Sequence, residues 1–317
     1  METYTKIDTM YKRYAFDGKN CPKKEWLKFR NKIILGEFSN KEAEYLFKCL
    51  WEAYSKIDGT NSKIAFYPST QEIRVGGKTD NANSQHGQFE MLEKIGERIK
   101  PQLCAMFPKE SARFTPVKGD NNKVQYYDVR ADFNEFDEKT MAAILQAKFD
   151  KKDTVVSSGI YGVELEEVPI YIYGEYFGTG VQKGGGRYIQ NGNDFLVFDI
   201  KQQGWWLPKE NRDAICKALG LEQVPFLGHM TLEDIEKMVR GGFATKFDRA
   251  ADPTLIEEGI VARPVIPLCS SNGNRVIVKV KYCDYVEYDA VRKEFSDKEF
   301  TEFDTWYHEN VESLYKK

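Results

Sequence analysis

The sequence predicts a mixed α+β protein. The apolar pattern switches repeatedly between a period of two and a period near 3.6, and turn signals separate the period-two runs. No internal repeat, low-complexity tract or Gly/Ser linker breaks the pattern, and 317 residues suffice for one substantial core.

Each element follows from that reading. Residues 40–54 place Ala43, Leu46, Phe47, Leu50 and Tyr54 at spacings of three and four, so a helix is expected there. Lys63 to Tyr67 and Glu72 to Val75 alternate around Pro68-Ser69-Thr70, a strand, turn, strand unit. Residues 88–107 return to helical spacing through Phe89, Leu92, Ile95 and Ile99, with an interruption expected at Pro101, whose ring removes a backbone donor. The stretch 108–162 carries turn signals such as Lys118-Gly119-Asp120-Asn121-Asn122 and one expected helix near 137–149, and it reads as an insertion.

Val168 to Tyr173 and Phe195 to Ile200 are expected core strands on either side of Gly184-Gly185-Gly186, read as a flexible turn. Thr231 with Asp234 resembles a capping box opening a short helix to Arg240, closed by Gly241-Gly242. Ile260 to Ile266 and Arg275 to Tyr282 are expected strands joined across Ser270-Ser271-Asn272-Gly273-Asn274, where Asn-Gly is a hairpin signal. The acidic, aromatic tail after Asp289 is expected to be helical.

Composition removes several function classes. The charged first thirty residues do not form a secretion signal, and no apolar run reaches the roughly 20 residues of a bilayer span, so a cytoplasmic protein is expected without a membrane partner. Six scattered cysteines without a CxxC pair and three distant histidines give no recognisable zinc site. A net charge of -3 provides no global attraction for nucleic acid, which leaves local patches such as Met1 to Lys32, with nine Lys or Arg against four acids. Gly77-Lys78-Thr79 is not a phosphate-cradling P-loop, because that motif needs a glycine where Glu72 stands.

The informative residues form five ordered strings. Lys56-Ile57-Asp58-Gly59-Thr60-Asn61 presents a lysine on a loop before a strand. Then follow Gly174-Glu175, Asp194 to Asp199, Glu258-Gly259-Ile260-Val261 and Lys279-Val280-Lys281. Any one alone is commonplace, and an exposed lysine beside an Asp-Gly turn is the ordinary meaning of the first.

In this order the strings resemble the motifs of the covalent nucleotidyltransferase superfamily of DNA ligases, RNA ligases and mRNA capping enzymes. YGEYFGTGVQKGGGRY with NDFLVFDI, and EGIVARP with NGNRVIVKVK, are similar to the phage RNA ligase 2 branch. The resemblance implies an α+β nucleotidyltransferase domain of ATP-grasp-like ligase type, with antiparallel sheets around a nucleotide cleft and a short helical C-terminal tail. Expected limits are 1–40 for a basic N-terminal segment, 41–288 for the catalytic domain with its insertion at 108–162, and 289–317 for the tail. It also implies an ATP-dependent RNA ligase, with ATP and Mg2+ or Mn2+ as cofactors, RNA ends as partners, a monomeric state and a repair role in phage. Alternatives within the superfamily are a DNA ligase and a GTP-using capping enzyme; outside it, a non-catalytic RNA-binding protein on a ligase scaffold.

Residue roles come from the same likeness. Lys56 is the expected nucleophile, and an amine must lose its proton to attack, which cationic neighbours such as Lys279 and Lys281 promote. Those two lysines are also expected on the phosphates. Asp58, Gly59 and Asn61 would organise the nucleotide, Glu175 would accept the ribose hydroxyls, Phe198 would stack on adenine, and Glu258 would support a divalent metal. Arg263 is an expected phosphate contact. Lys78 stands where the branch usually has arginine, which keeps charge but loses a bidentate fork. Ser55 replaces a customary glutamate, and the 36 residues after Lys281 are too few for the branch's helical joining domain, so adenylylation is expected to survive better than sealing.

Overall fold

The computed structural model describes residues 1–68, 70–79, 87–108, 112–118, 124–131, 169–202, 204–271 and 273–312. The strands in chain order are β1 (Asp8–Thr9), β2 (Tyr11–Arg13), β3 (Ile33–Phe38), β4 (Leu50–Ser55), β5 (Thr60–Tyr67), β6 (Glu72–Gly77), β7 (Ala112–Lys118), β8 (Val124–Ala131), β9 (Ile170–Gly178), β10 (Asn193–Gln202), β11 (Trp205–Trp206), β12 (Phe226–Thr231), β13 (Gly259–Pro264) and β14 (Val278–Lys281). The described helices are α1 (Lys41–Tyr45), α2 (Gln88–Met106), α3 (Gly185–Tyr188), α4 (Lys209–Leu219), α5 (Leu232–Gly241), α6 (Tyr282–Arg292) and α7 (Asp297–Tyr307). One five-stranded sheet has the order β1-β14-β13-β4-β12 and a second β11-β10-β9-β5-β6; β2 pairs with β3 and β7 with β8.

The chain divides into two compact units. The first comprises Thr3–Asn61, Glu175–Phe198 and Gln223–Lys317 and contains the whole of the first sheet. Its main core buries Trp51, Ala53, Ile260, Ala262, Val278 and Val280 against Leu232, Ile235 and Val239 of α5. The α5 N-terminus is capped as expected: Thr231 accepts from the Asp234 amide. The second unit comprises Met1–Glu2, Ser62–Gly174 and Asp199–Glu222. There β5 and β6 pair antiparallel from Ser62↔Gly77 to Tyr67↔Glu72, as the alternation foretold.

Two expectations fail for physical reasons. The helix placed at 40–54 is only the single turn α1, and Leu50–Ser55 is a strand. Strand β4 lies between β13 and β12 with residues 51–55 all buried, so apolar residues on both faces imitate a helical spacing. Pro101 does not interrupt α2, which runs through it for 19 residues. Its ring is on the exposed side, clear of the packed face, while Leu92, Gly96, Ile99 and Leu103 hold the buried stripe. The helix expected near 137–149 lies outside the described residues, whereas β7 and β8 pair antiparallel within the expected insertion. The triple glycine enters the one-turn helix α3.

The tail is helical and begins earlier than expected, at Tyr282. Ser296 and Glu299 form a reciprocal capping box at the start of α7. Phe303 and Tyr307 of α7 share an aromatic cluster with Tyr14, Phe16, Trp26 and Phe29. Around it the basic start meets the acidic tail: Arg13 pairs with Asp284 at 2.5 Å, Lys12 with Glu312 at 3.0 Å, Lys23 with Glu302 and Lys32 with Glu287 at 2.7 Å, and Lys28 with Glu294. Five of the nine cations that suggested a nucleic-acid patch are therefore engaged by the chain's own carboxylates.

Candidate active site

The sheet register collects the site. In antiparallel pairs, opposed residues share a face. Arg263 opposes Glu52, Val261 opposes both Tyr54 and Lys279, and Gly259 opposes Lys281. Trp51, Ala53, Ile260, Ala262, Val278 and Val280 occupy the other face, where they are committed to the core. Burying that apolar set forces Glu52, Tyr54, Arg263, Lys279 and Lys281 onto the opposite face, with Lys56 one residue beyond the end of β4.

Two glycines bring the remaining groups close. The Lys56 amide donates to the Gly259 carbonyl at 2.9 Å. Gly259 has φ 156°, and a Cβ there would stand 2.0 Å from the Val280 carbonyl oxygen, so only glycine lets β13 lie this close to β14. A Cβ on Gly59 would lie 2.4 Å from the Tyr176 carbonyl oxygen and 2.8 Å from Glu175 Cγ. That close approach seats the Lys56 loop against β9, and the Gly59 amide hydrogen-bonds the Glu175 carboxylate.

Glu258 is the centre of the charge arrangement. Its Oε2 is 2.5 Å from Lys56 Nζ and its Oε1 is 2.6 Å from Lys281 Nζ, so one carboxylate bridges two lysines. The three side chains are 16%, 20% and 27% exposed, which weakens solvent screening of both pairs. Burial acts to lower the Lys281 proton affinity, but its hydrogen bond to Glu258 and the Glu258 charge outweigh burial and raise it. Lys281 is thus a cationic neighbour of Lys56, as expected, with an anion between them that was not expected.

Three more carboxyls surround this bridge. Desolvation pushes Glu175 up to about 8; the Glu258 and Asp58 charges add to it, while Lys56 opposes it. Asp58 is raised for the same first reason and by Glu258, against Lys56, Lys281 and a hydrogen bond from the Gly184 amide. Burial also raises Glu257, which is 1% exposed. Asn61 Oδ1 is buried and has no hydrogen-bond partner among the described residues, a vacancy suited to a bound donor. Phe198 lies at the margin of a cluster formed by Tyr54, Ile57, Phe177, Tyr188 and Leu196, with Tyr4 edge-on at 5.1 Å.

Of the expected site residues, Lys56, Asp58, Gly59, Asn61, Glu175, Phe198, Glu258, Arg263, Lys279 and Lys281 all fall in the first unit. Lys78 does not: it is exposed, just past β6, in the second. Arg263 donates from Nη2 to the Phe198 carbonyl at 3.0 Å, lies over the Tyr54 ring at 4.6 Å and faces Glu52 at 3.7 Å. Glu52, Tyr54 and Glu257 escaped the sequence reading. The signal for the first two was present as the period-two series Glu52, Tyr54, Lys56, which the helical reading of 40–54 concealed.

The RNA ligase family profile matches residues 50–281, and the chain belongs to the RNA ligase family. No curated protein matches the sequence. Among solved structures it is similar to the Naegleria gruberi RNA ligase with PPi, at 16% identity and a TM-score of 0.44, covering 78% of this chain and 54% of that one. A lysine-to-alanine mutant of the same ligase with ATP and Mn matches at 16% identity and a TM-score of 0.43, covering 79% and 55%. The chain spans about half the length of these structures. Among the described residues no helix is long and apolar enough to cross a membrane.

Of the expected metal contacts, the structure supplies one carboxylate, Glu258, whose two oxygens already face Lys56 and Lys281. Glu258 offers hard oxygens, but it does not converge with two further ligand residues; among the described residues only Glu37, His308 and Glu312 come that close together, and Lys12 lies against both of those carboxylates. An ion at Glu258 would therefore keep water or phosphate oxygens in its shell, as Mg2+ commonly does.

Proposed function

We propose that the chain is an ATP-dependent RNA ligase in which Lys56 carries AMP. The observation that supports this most is the Glu258 carboxylate set between Lys56 and Lys281 in a member of the RNA ligase family. A nucleophile, a carboxylate for a metal and a cation for phosphate meet at one point.

Lys56 Nζ, having lost its proton, forms a bond to the α-phosphorus of ATP; the α–β phosphoanhydride bond breaks and pyrophosphate departs. Lys281 and Lys279 would neutralise charge on the phosphates as that bond breaks. A 5′-phosphate oxygen of an RNA end then takes the nucleotide, the P–N bond breaks and Lys56 recovers its proton. Finally a 3′-hydroxyl oxygen bonds to that 5′-phosphorus and gives up its proton to solvent, the phosphoanhydride bond breaks and AMP leaves.

Glu258 would exchange a lysine partner for the divalent ion, which supplies charge neutralisation at the reacting phosphate. Glu175 would accept from the ribose hydroxyls, Asn61 would take a donor on its unpartnered oxygen, and Phe198 would stack on the base. Asp58 and Gly59 would keep the Lys56 loop in register.

The test is incubation with α-labelled ATP and Mg2+ or Mn2+, then denaturing electrophoresis of the parent and Lys56→Ala. Label should remain on the parent and be absent from the variant; an unlabelled, folded parent defeats the proposal. Labelling by GTP instead would point to a capping enzyme. Nicked duplexes with RNA or DNA at the 3′-hydroxyl side then identify the strand that is joined.

A further inference from the structure

Arg263 was expected on a phosphate, yet its guanidinium is otherwise engaged. It is 16% exposed, stacked over Tyr54 at 4.6 Å, with Nη2 on the Phe198 carbonyl at 3.0 Å and Nε 3.7 Å from Glu52 Oε2. The Tyr54 hydroxyl donates to that same Glu52 oxygen at 2.6 Å, so ring, carboxylate and guanidinium constrain one another. Turning Nη2 toward a phosphate would strip the Phe198 carbonyl of this bond and draw the guanidinium away from the Glu52 charge.

The carbonyl it holds belongs to Phe198, the residue assigned above to stack on the base. Anchoring the Phe198 backbone sets the direction of its side chain, and Tyr4 meets the ring edge-on at 5.1 Å. We propose that Arg263 is a positioning residue that fixes Phe198 as the nucleobase wall through Tyr54 and Glu52, so that it contributes to nucleotide binding through the base and not through the phosphates. This rests on the reading of Phe198 as the stacking residue for ATP.

The experiment measures self-adenylylation against ATP concentration, with inorganic triphosphate as a competitor that has no base. Arg263→Met should raise the apparent KM for ATP about tenfold, the scale of one lost base stack, with kcat little changed and inhibition by triphosphate unaltered. Arg263→Lys, which keeps the charge and one hydrogen bond, should recover part of the loss. In Phe198→Ala, adding Arg263→Met should cost nothing further, because both changes act on one wall. Glu52→Gln, nearly isosteric, should show the same base-selective rise at smaller size and keeps the question answerable if Arg263→Met does not fold.

Weakened triphosphate inhibition in Arg263→Met, or multiplied losses in the double variant, would overturn the inference and return Arg263 to the phosphates. An unlabelled parent would overturn the ligase reading and this inference with it, whereas a labelled parent with either of those results overturns this inference alone.

Discussion

Replacing Glu175 by glutamine should make the protein more stable in alkaline solution while weakening the proposed labelling by ATP. Desolvation, then the Glu258 and Asp58 charges, raise its carboxyl from 4.5 to about 8 in the folded chain. A group raised in this way is neutral in both states at low pH. As pH rises through 4.5 the unfolded chain ionises and the folded one does not, so stability falls until the folded carboxyl also ionises near 8. At about 1.4 kcal/mol for each tenfold change in proton affinity, the full penalty is about 5 kcal/mol.

Glutamine removes the ionisable group and keeps an oxygen for the Gly59 amide, but its buried amide retains a desolvation cost of about 1–3 kcal/mol. A net gain of about 2–4 kcal/mol at pH 9 is therefore expected, shrinking toward zero or below near pH 4. Urea denaturation of parent and Glu175→Gln at pH 4, 6, 7.5 and 9 measures it directly. A difference that is independent of pH, or that grows as pH falls, would refute the reasoning. In the labelling assay the same variant should need more ATP, because the amide offers two ribose hydroxyls one acceptor oxygen where the carboxyl offers two.

Glu258→Gln leaves Lys56 and Lys281 facing each other without their anion, so a loss of about 3 kcal/mol in urea denaturation and at least about 100-fold in adenylylation rate are expected. Chelating divalent ions should abolish labelling without moving the urea midpoint, since the two lysines already neutralise Glu258; a large midpoint shift would contradict that. Gly259→Ala, which demands a Cβ 2.0 Å from the Val280 oxygen at φ 156°, should cost about 3 kcal/mol or more in thermal unfolding, and a tolerated alanine would mean that the β13–β14 approach is looser than described. Phe303→Ala removes a fully buried ring stacked 4.5 Å from Phe29, for about 3–5 kcal/mol. Limited proteolysis should then release the N-terminal segment and the tail together; cleavage of the tail alone would refute their shared core.

Much of the molecule was legible because its cues are local. The β5–β6 hairpin, the Thr231 cap and the helical tail depend on residues within a few positions of each other, where turn chemistry and periodicity act directly. Pro101 misled because its local penalty depends on which side of the helix meets water. Residues 40–54 misled because a strand buried on both faces loses the alternation that marks it, and with that went the one pattern relating Glu52 and Tyr54 to Lys56.

By itself the sequence determined which chemical groups are available: a lysine before Asp58-Gly59, a carboxylate at Glu258, paired lysines at 279 and 281, and glycines where chains cross. Only the tertiary structure decided how they are spent. It placed Glu258 between two lysines, set Arg263 on a backbone carbonyl, and matched the basic beginning with acids about 250 to 300 positions away. Charges and donors choose partners by distance and dielectric, and neither is defined until burial of the apolar face fixes the sheet register.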